Sequence, residues 1–187
     1  MNKLRVAGAL AVAAFACTSG AVLAQDEGKT AAAKLASESQ AALQRLSASV
    51  PLAAELRKTA VAVLVFPTIT KAGFGIGGQY GEGALLKDGA AVAYYKTTGA
   101  SFGLQAGGQK YAYAMFFTSA AALDQLDAAN GFEVGVGPSV VVVEEGMGKS
   151  RTTTTLNEDI YAFIFGQKGL MAGLGLQGNK IKKITPK

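Results

Sequence analysis

Apolar and polar positions alternate in two rhythms along this chain. From Lys29 to Val50 the rhythm is helical. Leu35, Ala42, Leu43, Leu46 and Val50 share one face, while Lys34, Glu38 and Arg45 fall on another. Pro51 suits the first turn of a second helix, Leu52 to about Thr59. The short connection makes these helices neighbours, an amphipathic hairpin lying on a core. The alternative is a helix on a membrane surface, but an apolar face of Ala and Leu without Trp or Phe argues for the core.

After residue 60 the period becomes two. Val61-Ala-Val-Leu-Val-Phe66 is a continuous apolar run before Pro67 and reads as a strand buried on both faces. Glycine then recurs at alternate positions: Gly73, Gly75 and Gly77, then Gly103 and Gly107 around Gln105, then Gly135 and Gly137, then Gly173 and Gly175. Every second residue of a strand shares a face, so each segment reads as a strand with one bare face. Such strands mark bends or close approach of another group. Strands are expected at about 73–78, 80–87, 91–97, 100–107 and 109–117. Lys87-Asp88-Gly89-Ala90 is a hairpin turn, and Gly107-Gly108 is a second turn candidate.

One helix interrupts near 118–129, capped by Thr118 or Ser119, with Leu123 and Leu126 inward and Asn130-Gly131 ending it. Strands resume at about 132–137, 139–144, 150–156, 159–166, 169–177 and 179–184. Val140 to Val143 reads as another buried run, and Thr152 to Thr155 as an exposed or edge strand. The expected class is α+β and β-rich: an antiparallel, glycine-rich sheet closing into a barrel or sandwich. An N-terminal helical pair (29–59) precedes a β-rich core (61–187).

Composition changes this picture at the N-terminus. Lys3 and Arg5 precede an apolar run from Val6 to Ala16, too short to span a bilayer, and Val22-Leu23-Ala24 offers the small residues of a cleavage site. Residues 1–24 therefore read as a signal peptide, leaving 25–187 as one domain in the periplasm. Ala14-Phe15-Ala16-Cys17 offers a second route, in which Cys17 is lipidated and tethers the protein to the outer membrane. Removing Lys3 and Arg5 from the 18 basic residues leaves 16 against 13 acidic ones, a net charge of +3. That permits contact with anionic lipid and does not indicate nucleic acid.

The chain has no His, and Cys17 is its one cysteine. Cys/His zinc sites, Ser-His-Asp and Cys-His catalysis and disulfides within the chain are thereby excluded. Gly73-Phe-Gly75-Ile-Gly77-Gly78 and Gly173-Leu-Gly175-Leu-Gln177-Gly178 both fit G-x-G-x-x-G, but no helix follows either to meet a pyrophosphate. Glu82, Glu133, Glu144, Glu145, Glu158 and Asp159 are scattered among strands and turns and form no recognisable acid–base pair. No enzyme activity and no cofactor are expected. The basic residues are more suggestive. Lys71 stands beside Phe74, Lys149 and Arg151 flank a glycine-rich turn, and Lys168 precedes Leu170 and Met171. A basic side chain next to an apolar tip is what a lipid surface requires, although lysines also simply solubilise a glycine-rich surface. Lys180, Lys182, Lys183 and Lys187 crowd the C-terminus, where alternation with Ile181 and Ile184 is ordinary strand patterning.

Six ordered stretches carry a family likeness: Val63-Leu-Val-Phe-Pro67, Lys71-Ala-Gly-Phe-Gly-Ile-Gly-Gly78, Tyr80-Gly-Glu-Gly-Ala84, Ser101-Phe-Gly-Leu-Gln-Ala-Gly107, Val134-Gly-Val-Gly-Pro138, and Ile160 to Phe165 with Gly166-Gln-Lys-Gly-Leu170. Together they resemble the SYLF lipid-binding domain family, over about Lys29 to Pro186. The resemblance implies a β-rich domain that binds lipid, phosphoinositides in eukaryotic members, with actin binding in some. It supplies no catalytic residues. Membrane contact in some members is assigned to an N-terminal amphipathic helix. The matching stretch here is Ala-rich and lightly charged, which moves the expected contact to the loops carrying Lys71, Phe74, Lys149, Arg151, Lys168, Leu170 and Met171. The expected partner is an anionic lipid or membrane surface. The alternative is a structural or interaction component of the envelope whose glycine faces pack on a protein. A small outer-membrane barrel is a further rival, opposed by the helical N-terminus and the absence of Trp.

Overall fold

A computed structural model describes residues 19–127, 131–133, 140–144, 158–169 and 179–187. Helix α1 (Ser19–Ser49) leads into α2 (Pro51–Thr59), with Pro51 in its first turn as its fixed φ favours. Helix α1 starts ten residues before the expected Lys29 and is continuous through the expected cleavage point at Gln25. Its inward stripe is as the periodicity predicts: Leu35, Ala42, Leu43, Leu46 and Val50 are all buried.

Two very long strands follow, β1 (Ala62–Lys87) and β2 (Ala90–Phe117). They pair antiparallel along their length as one hairpin. The turn is the expected one at Asp88 and Gly89, with φ of 49° and 81°. Positive φ at both central residues gives the twist that matches the flanking strands. The expected break at Pro67 does not occur. The strand continues through it because the register shifts between Phe66 and Ile69, and a bulge tolerates a residue with no N–H to give. The expected turn at Gly107-Gly108 is likewise absent, since both residues lie inside β2, beside a second register shift at Phe74/Gly75.

The hairpin curls until the second half of β1 meets the first. A Cβ on Gly81 would lie 2.7 Å from Ile69 Cγ1 and 2.8 Å from the Thr68 carbonyl oxygen; one on Gly83 would lie 2.7 Å from the Phe66 ring. Only a bare backbone fits at that closeness, so these two glycines permit the curl.

On its other edge β2 pairs antiparallel with β5 (Ile160–Gly169) over residues 109–117 and with β6 (Lys180–Ile184) over residues 94–98. Strand β3 (Phe132–Glu133) extends β6, and β4 (Val140–Glu144) runs parallel to β5, a departure from the antiparallel pairing of the rest. The result is a β-rich α+β fold with one curled sheet. Helix α3 (Ala120–Asp124), followed by a 3-10 turn over Gln125–Asp127, is shorter than the expected helix. Ser119 caps it, its hydroxyl accepting from Ala122 N at 3.2 Å. Val142 is 41 % exposed on β4, which corrects the expectation of a fully buried run there. That strand is at the end of the sheet order among the described residues.

Each sheet face has its own core. The inner cluster includes Leu64, Phe66, Ile69, Tyr95, Tyr111, Tyr113, Met115 and Ile181. The outer one lies under α1 and α2 and includes Leu46, Leu56, Val63, Val65, Phe116 and Phe163. Alternate residues of Val63–Phe66 enter the two clusters, so this run is buried on both faces as the sequence predicts. No helix among the described residues is long and apolar enough to cross a membrane.

Candidate lipid-contact surface

Three of the residues singled out by sequence are described, and they do not converge. Lys71 lies in β1 rather than in a loop, and it is only 8 % exposed. It shares the inward rhythm of Ile69, while Thr70 and Ala72 between and beyond them are exposed. Phe74 lies in β1, in register with Ala106 where the pairing shifts. Lys168 lies near the end of β5 and is exposed. Lys149, Arg151, Leu170, Met171 and Cys17 lie outside the described residues. Lys71 and Lys168 therefore belong to opposite faces of the sheet, with different surroundings.

The inner face around Lys71 is a buried polar cluster. Lys71 pairs in register with Gln109, which is itself buried. Two residues on, the Tyr111 hydroxyl donates to Gln79 Oε1 at 2.8 Å, and Gln79 Nε2 donates to Asn179 Oδ1. This chain of bonds ties β1, β2 and the start of β6 together inside the curl. Burial pushes the Tyr111 phenol up to about 12. Tyr113 is pushed up further, first by burial and then by its neighbour Tyr111, and its hydroxyl has no hydrogen-bond partner among the described residues. Gln109 Oε1 is likewise without a partner among the described residues. These groups are sequestered from any approaching surface.

The outer face presents charge instead. Lys168 stands directly opposite Lys110 on β2, with Thr70 of β1 next in the row, and all three are exposed. Neither lysine makes an ion pair among the described residues. Like charges directly opposite across two strands repel, so an anion between them is favoured. Lys110 was missed in sequence because its partner is 58 positions away; only the β2–β5 register unites them. A second pair, Lys96 and Lys182, stands at the other end of β2, with Glu82 beyond Lys96 on β1.

A groove of about 770 Å³ opens where the start of α1 passes β2 and β6. Its walls are mainly apolar: Ala32 from the helix, Val92, Ala93 and Tyr94 from β2, and Ile184 and Pro186 from the C-terminal stretch. Among the described residues, Lys29, Lys183 and Lys187 stand at the groove with one acid, Glu27. Lys183 is held: its Nζ donates to Asp127 Oδ2 at 2.8 Å and lies 5.9 Å from the Tyr95 ring centroid. The Tyr95 hydroxyl donates to Asp127 Oδ1 at 2.7 Å. The Lys183 ammonium, and then Tyr95, hold the Asp127 carboxyl below its ordinary range, while burial, and then Asp127, push the Tyr95 phenol up. The crowd of C-terminal lysines was the sequence signal for this place, but nothing in the sequence places Lys29 beside them.

The described residues thus carry an apolar groove with a cationic rim and, further along β2, the exposed Lys110–Lys168 pair. Residues 98–185 match a family model described as Ysc84, Las17-binding protein actin regulator, which is consistent with the SYLF resemblance of the sequence. The match spans β2 from Thr98 through β6 and includes Lys110, Lys168 and Lys183. No curated protein matches the chain.

Proposed function

We propose that this protein is a non-enzymatic lipid-binding domain of the bacterial cell envelope that meets anionic headgroups through the lysines of its outer sheet face. The Lys110–Lys168 pair carries the reading, two exposed lysines that the strand register sets directly opposite each other with no ion-pair partner among the described residues. An anionic membrane surface supplies what the pair lacks, with an attraction of about 1 kcal/mol per surface lysine. The lipid-binding character of the SYLF family supports the same reading. The Las17 and actin partners in the family description belong to proteins that share a compartment with actin. An exported chain does not, so they are not carried over. Contact is assigned to the Lys110–Lys168 row on the outer face, in place of Lys71 in a loop.

Vesicle flotation tests the reading. The protein should float with vesicles containing phosphatidylglycerol, float weakly with phosphatidylcholine alone, and be released by about 0.5 M salt, where surface charges are screened within a few ångströms. Absence of binding to either vesicle at low salt sinks the proposal. Capture of an envelope protein with no dependence on lipid favours the interaction role instead. Mass spectrometry of the mature N-terminus tests the periplasmic assignment: Gln25 at the N-terminus means a released protein, and a lipidated Cys17 means a tethered one.

A further inference from the structure

We propose that the groove between the start of α1 and β6 holds the chain of a single-chain anionic amphiphile, its headgroup held by Lys29 and Lys187. The inference rests on the lipid-binding reading above and makes it specific. A membrane plane needs only an exposed charged face, which Lys110 and Lys168 already supply. The groove is a different object. It is concave, walled by Ala32, Val92, Ile184 and Pro186, and its volume of about 770 Å³ is that of a site for one small ligand.

Its dimensions favour one chain. On one side runs the single helical turn or so from Glu27 to Ala32. On the other runs the extended stretch from Lys183 to Lys187, which reaches at most about 17 Å. A single chain laid along this trough lies between the helix and the extended stretch and touches both walls.

Charge selects the headgroup. Lys183 is already engaged by Asp127 and closes one side of the groove. Lys29 and Lys187 are exposed and make no ion pair among the described residues, and Glu27 is the one acid at the rim. A carboxylate or phosphate head on an apolar tail matches this arrangement, whereas a cationic head is repelled.

The test is calorimetric titration of the protein, purified as it accumulates in the envelope, with laurate below its micellar concentration. Dodecyltrimethylammonium, with the same tail length and the opposite charge, is the control. The groove predicts saturable binding of one laurate per chain and affinity for the cation weaker by about tenfold or more. Ala32→Trp, which fills the trough, and Lys29→Glu should each lower laurate affinity by about tenfold or more. Should Ala32→Trp disturb the fold, as circular dichroism would reveal, Val92→Glu places a charge on an exposed wall residue and should have the same effect. Parallel titration with lauroyl-lysophosphatidylglycerol assigns the source of the anion: tighter binding than laurate points to a lysophospholipid, and weaker binding to a fatty acid. Equal affinity for both charges, or wild-type affinity in the groove variants, overturns the inference. Loss of laurate binding alone, with flotation on anionic vesicles intact, removes the groove site and leaves the membrane reading standing. Loss of both removes both.

Discussion

The two faces of the curled sheet treat the same kinds of side chain in opposite ways. On the inner face, Lys71, Gln79, Gln109, Tyr111 and Asn179 are buried, and Tyr111, Gln79 and Asn179 are linked by hydrogen bonds. On the outer face, beyond the cover of α1 and α2, Lys110 and Lys168 stand side by side in water. One residue of displacement along a strand separates the two fates, because successive side chains point to opposite faces. Lys71 and Lys168 looked equivalent as sequence, each a lysine in a glycine-rich neighbourhood. The sheet makes one a part of the interior and leaves the other exposed to solvent.

The largest expected effect tests whether the outer face has a structural core of its own. Phe116 packs edge-on to Phe163 with centroids 5.3 Å apart, under the helices. Phe116→Ala should cost about 3–5 kcal/mol in chemical denaturation. A loss below about 1 kcal/mol would mean the helices do not truly depend on that face. Next comes closure of the curl. Gly83→Ala puts a methyl group 2.7 Å from the Phe66 ring and 2.9 Å from the Val65 carbonyl carbon, and backbone cannot yield as a flexible side chain does. A loss of about 1–3 kcal/mol is expected, as for overpacking elsewhere. Gly78→Ala, whose nearest contact is an ordinary 3.8 Å, serves as the milder comparison.

Two tyrosines two residues apart sharpen the account of the inner face. Tyr111→Phe removes the donor to Gln79 and leaves a buried acceptor unpaired, so it should destabilise by about 1–3 kcal/mol. Tyr113→Phe removes a hydroxyl that has no partner among the described residues and should be neutral or stabilising. Equal losses from the two would contradict the hydrogen-bond assignment.

The smallest effect is a pH dependence at Asp127. Its folded carboxyl is lowered by Lys183 and then Tyr95, so its contribution to stability is present above the unfolded value of about 3.9. The contribution is lost as pH falls through the lower folded value. Thermal unfolding should show an advantage of the wild type over Asp127→Asn at pH 6 that shrinks below about pH 4. The pair with Lys183 is half exposed, so the advantage is expected to be small. An advantage that persists unchanged to pH 2 would exclude the ion pair as its source.

Much of the local structure was legible. The helical stripe from Leu35 to Val50, the Asp88-Gly89 turn, the Ser119 cap and the doubly buried Val63–Phe66 run follow from periodicity, turn chemistry and capping. Strand continuity was not. Pro67 and Gly107-Gly108 carry the local signature of a break, and only the partner strand, with its shifts of register, allows β1 and β2 to pass through them. Strands of 26 and 28 residues also lie far beyond the usual range of 3–10. The candidate surface was legible in its parts and not in its assembly. Lys168 stood out beside its glycines, but Lys110 joins it only through the β2–β5 register, and Lys29 reaches the C-terminal lysines only through the packing of α1.

The account therefore turns on place, not on net charge. The direct measurement is flotation of two double variants with phosphatidylglycerol vesicles at low salt. One variant is Lys110→Ala with Lys168→Ala on the outer sheet face. The other is Lys34→Ala with Arg57→Ala, which removes the same charge from exposed helix positions. The account predicts that the first loses most of its vesicle binding, that the second keeps it, and that both fold as the wild type does. Equal losses in the two, or undiminished binding by the first, would contradict it.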